Sequence, residues 1–190
     1  AGAGSLSNAT GINRLSLARF ALFAARDVWF VVSVPIFLAS VLGWSFAQVG
    51  GFMAVWVVAY GGVQGASPLV LQGLTRGRPP GPAVTSALGL LLALVTALIP
   101  LGLHWHWPPA WTMLGGLVVF GIVFAVNSAV HSFLVLAYSE TDRVSMNVGF
   151  YYMANAGGRL LGTLLSGVLY QHAGVSASLW GAVVLSTMAG

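Results

Sequence analysis

The chain has no cysteine and no lysine, and its only acidic residues are Asp27, Glu140 and Asp142. Without cysteine there is no disulfide, no thiol nucleophile and no thiolate metal site. Charged residues make up 5% of the 190 positions, whereas a water-facing surface takes about a quarter of all residues in a typical soluble domain. The loops also lack a Ser, His and Asp combination, a phosphate-cradling lysine loop and an acid cluster. Only one carboxylate, Asp27, falls inside an apolar run. No catalytic set emerges, an intramembrane protease is excluded on the same grounds, and no cofactor, metal or nucleic-acid partner is expected.

What the chain does have is apolar length. Hydrophobic residues reach 58%, and six apolar segments fall at roughly Leu15 to Val41, Ala47 to Leu71, Ala83 to Leu103, Trp111 to Ala137, Ser145 to Tyr170 and Val175 to Gly190. About 20 helical residues cross the roughly 30 Å hydrocarbon core, so each but the short sixth is long enough to span. The gaps LGWSF, QGLTRGRPPGP, HWHWPPA, YSETDR and QHAGV are too brief for a separate domain. The expected fold is an all-α membrane protein, one bundle of six transmembrane helices over residues 15–190 with a short linker at 1–14. Because the chain does not open on Met and its last apolar run stops at Gly190, it is expected to be part of a longer protein.

All seven basic residues are arginine, and their placement sets an orientation. Arginine near helix ends is retained on the cytoplasmic side. Arg14 and Arg19 lie at the start of the first helix, Arg76 and Arg78 between the second and third, and Arg143 between the fourth and fifth. The other side has none. Both termini are therefore expected in the cytoplasm of a cell whose inner (plasma) membrane the chain crosses repeatedly. His104, Trp105, His106 and Trp107 then sit at the outer interface, where aromatic belts form. The two histidines are read as part of that belt and not as a metal pair.

A charge inside a membrane helix costs about 2.5 to 3.5 kcal/mol on insertion scales, so it is kept for a partner, a wet cavity or a task. Arg26 and Asp27 break the first helix's apolarity, with Arg19 one heptad earlier on nearly the same face. Two readings stand for Asp27: it clamps Arg19, Arg26 or Arg159 to hold the bundle, or it belongs to a ligand site. On the fifth helix Asn147, Tyr151, Asn155 and Arg159 recur every four residues and form one polar stripe. A guanidinium there offers five donors in a planar fork suited to carboxylate, phosphate or arsenate oxygens. On the fourth helix Asn127 and His131 share a face, flanked by Ser128 and Ser132. His131 is read either as a hydrogen-bonded packing residue or as a proton carrier near neutral pH. Ala154, Gly158, Gly162 and Ser166 make a small-residue row of the kind that lets helix backbones approach. The glycines of GGVQG in the second helix and GGRLLG in the fifth correspond if the six helices are two inverted triplets.

The stretches ARDVWF around Arg26 and Asp27 and YYMANAGGRLLG around Arg159 carry a resemblance that extends over nearly the whole chain. They resemble the C-terminal half of the organoarsenical efflux permeases of the major facilitator superfamily, the ArsJ family. That resemblance implies the seventh to twelfth helices of a twelve-helix transporter, a missing N-terminal six-helix half as partner, and export of 1-arseno-3-phosphoglycerate as an anionic substrate. The family does not assign binding residues. By helix position the candidates are Arg26, Asp27, Asn127, His131, Tyr151, Asn155 and Arg159. The competing readings are a facilitator for another organic anion or a drug, and a membrane scaffold in which buried charges only specify packing.

Overall fold

The computed structural model describes residues 2–74, 80–138 and 144–190, with the side chains of 2–10, 12, 74, 82, 138 and 144–147 left aside. Arg76, Arg78, Glu140, Asp142 and Arg143, and the side chain of Asn147, lie outside the described residues. Among the described residues every regular element is a helix: α1 Gly2–Phe30, α2 Ser33–Ser40, α3 Phe46–Leu74, α4 Pro82–His104, α5 Pro109–Tyr138 and α6 Val144–Met188. Among the described residues five stretches are long and apolar enough to cross a membrane: Asn13–Ser40, Phe46–Gly73, Ala83–His104, Pro109–Ala137 and Val148–Met188.

Local chemistry sets the breaks. Pro35 has no N–H to offer the carbonyl of Val31, so α1 cannot run on unbroken, and a turn at Val31 and Val32 separates it from α2. Gly43 ends the next turn at φ 70°, a left-handed conformation that costs glycine little. At the start of α3 the Gln48 side chain accepts from the Ser45 N–H at 2.8 Å, and Ser45 Oγ accepts from the Gln48 N–H at 3.3 Å. This reciprocal pair is a capping box. Pro82 and Pro109 open α4 and α5, where a missing N–H has no intrahelical acceptor to lose.

The sixth apolar segment continues from the fifth without a loop, through a kink at Ala173 and Gly174, the latter at φ 68°. The chain doubles back there. A Cβ placed on Gly181 would lie 2.8 Å from the Leu169 side chain, whereas twelve residues of straight helix would separate them by about 18 Å. The 144–172 arm packs along α1, and the returning 175–188 arm packs on α4 and α2. Ser33 and Ser178 hydrogen-bond at 2.8 Å, and Ser86 Oγ donates to the Gly190 carbonyl.

α5 packs against α1, α3 and α4. Rings lock it in place: Phe124 meets Phe23 with centroids 5.2 Å apart, and Phe120 meets Trp29 at 5.1 Å. Trp56 of α3 lies tilted against Phe30, centroids 4.5 Å apart, and donates to the Leu117 carbonyl at 3.1 Å. α3 is held lightly, with 11% of its most apolar stretch covered by the rest of the chain against 72% for the span Asn13–Ser40.

Candidate functional site

Asp27 projects from α1 into the seam with α6, where it is 2% exposed. Arg26 is its neighbour, about 100° around the helix, and its side chain bends sideways so that Nε donates to Asp27 Oδ1 at 2.6 Å. Arg159, near the middle of the 144–172 arm, donates from Nε to Oδ2 at 3.2 Å. One carboxylate thus serves two guanidiniums, one 12% exposed and the other 59% exposed.

Glycine makes this meeting possible. A Cβ on Gly158 would run into the carbonyl oxygen of Phe20, and one on Gly162 would lie 2.7 Å from the Ala24 carbonyl oxygen and 3.0 Å from Asp27 Cβ. The α6 backbone therefore rests directly on α1, as the small-residue row suggests. Gly61, Gly62 and Gly65 of α3 have nothing within 4 Å, so the glycines of GGVQG make no such seam within this chain.

Arg19 does not join Asp27. It is 4% exposed, and its Nη1 donates to the Ser128 carbonyl at 3.0 Å and to Ser128 Oγ at 2.7 Å. The Phe23 and Tyr151 rings lie 4.2 and 4.7 Å from the guanidinium carbon. Gln64 Nε2 also donates to Ser128 Oγ, at 3.3 Å, and the Tyr151 and Ser132 hydroxyls are 3.1 Å apart. Of the side chains read from sequence, Arg26, Asp27 and Arg159 meet, and Tyr151 lies beside Arg19. Asn127 and His131 are fully buried on α5, and neither has a hydrogen-bond partner among the described residues; the same is true of Asn155 Oδ1. Gln64 is a participant that pattern reading passed over, and Ser128 one that it placed only as a flank of Asn127 and His131. Their signal was available, since Gln64 is a lone amide in an apolar helix and Ser128 adjoins Asn127.

Among the described residues Arg19, buried apart, and Arg26 and Arg159, the latter largely exposed, share the helices with one carboxylate, which leaves an excess of two positive charges. Such an interior attracts oxyanions, and a guanidinium fork can hold a carboxylate or phosphate group by two parallel bonds. His104 and His106 are exposed in the turn between α4 and α5, and no group of three metal-binding side chains occurs among the described residues. Compared with known proteins, the chain matches no protein-family model, no curated protein and no solved structure.

Proposed function

We propose that this chain is the six-helix half of a secondary transporter of the major facilitator type, exporting an organic anion by alternating access, with both termini in the cytoplasm. The resemblance to organoarsenical permeases makes 1-arseno-3-phosphoglycerate the first substrate to test and an N-terminal six-helix half the partner. The observation that carries the reading is Arg159: a mid-span guanidinium, 59% exposed, that shares its only carboxylate with Arg26. A cation so placed needs water or an anion beside it, because lipid solvates neither it nor its donors.

In this mechanism a carboxylate or arsenate group of the solute competes with Asp27 for Arg159 while Arg26 keeps the carboxylate company. Asn155, one turn before Arg159 on the same helix, offers a neutral hydrogen bond, whereas Tyr151 and Asn127 are buried away from the solute. Release of Asp27 from Arg159 is one route for coupling export to protons. Support for the repeat comes from the packing. An operation taking the first three segments onto the last three carries the α1–α6 contact onto the α5–α3 contact and the contact of α4 with the returning arm onto itself, and all of these occur.

In the assembled transporter, Arg159→Leu is expected to abolish arsenate resistance at unchanged membrane abundance; normal resistance would remove Arg159 from the mechanism. The scaffold reading is favoured by the shared Asp27, since a packing clamp has the same bonds. Arg159→Lys separates the two, because a packing clamp keeps a cation beside Asp27 while an anion site built on the guanidinium fork is lost.

A further inference from the structure

Arg19 is the interior cation for which the described residues supply no carboxylate. Its Nη1 makes both of its hydrogen bonds, to the carbonyl and hydroxyl of Ser128, and its Nε has no partner. The Phe23 and Tyr151 rings lie over the guanidinium, whose donors point outward in its own plane. Ser128 Oγ already accepts from Arg19 and from Gln64, so its own hydrogen remains to be donated. Asn127, next in the chain, and His131, one turn on, add buried amide and imidazole groups without partners. The collection is rich in donors, carries one positive charge and lacks the anion that both features call for.

We propose that Arg19, Ser128, Asn127 and His131 form a binding site for a small monovalent inorganic anion of the halide class, separate from the cluster at Asp27. Size argues for a small ion. Arg19 is 4% exposed, and Asn127, Ser128 and His131 are sealed completely, so a bulky organic solute has no way in while a single ion needs little room. The walls argue for a weakly hydrated ion. One guanidinium and neutral donors replace a water shell well only when that shell is held loosely, which favours chloride and bromide over fluoride. A resident halide supplies Arg19 with a counter-charge that the Asp27 cluster cannot, because Asp27 already serves Arg26 and Arg159.

The test uses the protein purified in detergent, with its unfolding midpoint and the line width of the chloride-35 resonance followed at constant ionic strength. Chloride or bromide replacing gluconate is expected to raise the midpoint progressively, as mass action requires of a ligand that binds only the folded state, while fluoride does not. Arg159→Gln is expected to keep the effect and Arg19→Gln to lose it. The same midpoint in chloride and gluconate, or a chloride effect that survives Arg19→Gln, overturns the site. Should Arg19→Gln fail to fold, Ser128→Ala keeps the arginine and its carbonyl bond and is expected to weaken chloride binding; unchanged affinity there also overturns it. Displacement of bound chloride by 3-phosphoglycerate would merge the pocket with the organic-anion path and refute its separateness. None of these readouts depends on transport, so a failed resistance assay at Arg159 leaves the halide site standing.

Discussion

Gly162→Ala tests the seam that brings Arg159 to Asp27. The new methyl would lie 2.7 Å from the Ala24 carbonyl oxygen, and ordinary contact begins near 3.4 Å, so α6 must withdraw by roughly 0.7 Å. Carried to Arg159, such a shift stretches its 3.2 Å bond to Asp27 out of hydrogen-bonding range. Overpacking costs about 1–3 kcal/mol, and the obstacle is backbone that cannot rotate away, which puts the cost toward the upper end. Loss of the half-exposed ion pair adds up to about 1 kcal/mol, and the better helix propensity of alanine returns about 1 kcal/mol. The net expectation is a loss of about 2–3 kcal/mol. Gly167→Ala is the control on the same arm, since nothing lies within 4 Å of its added methyl, and it should be neutral or slightly stabilising. Reversible unfolding in mixed micelles measures both. If Gly162→Ala proves as stable as Gly167→Ala, the direct backbone contact between α1 and α6 is wrong, and so is the reason given for the Arg159 bond.

Asp27→Asn leaves two guanidiniums without their shared counter-charge and should cost about 3–5 kcal/mol, the range for breaking a buried pair, against about 1 kcal/mol or less for Arg159→Gln; the same unfolding assay ranks them, and a larger loss at Arg159 would contradict the exposures. Because the chain has no native cysteine, single cysteines report access cleanly: Arg159→Cys in membranes should react with a membrane-impermeant thiol reagent while Phe120→Cys stays unlabelled, and an inert Arg159→Cys would remove the wet face. Trp56→Phe keeps the ring contacts with Phe30 but loses the bond to the Leu117 carbonyl, so it should cost about 1 kcal/mol in the unfolding assay.

The helical architecture was legible because apolar length and the bilayer's thickness admit few other solutions, and the turns were marked by Gly43, Pro82 and the HWHWPPA stretch. The returning arm was harder to read. QHAGV marks its position, but only the positive φ of Gly174 makes it a reversal within one helical run. In the site, Asp27 was bound to attract arginine as the lone interior carboxylate. Which arginine depended on helix registers that sequence does not encode locally. Arg19 and Arg26, a heptad apart, share a face of α1, yet both lie against Phe23, and Arg19 turns toward Ser128 because α5 passes there. Gln64 was hidden for the same reason, since its role exists only once α3 crosses α5 beside Ser128.

The light hold on α3 has a mechanical consequence. The 144–172 arm rests backbone to backbone on α1, whereas α3 has few side chains to disengage before it can shift. Trp56, pinned to the Leu117 carbonyl, is then the point at which any displacement of α3 against α5 meets most resistance.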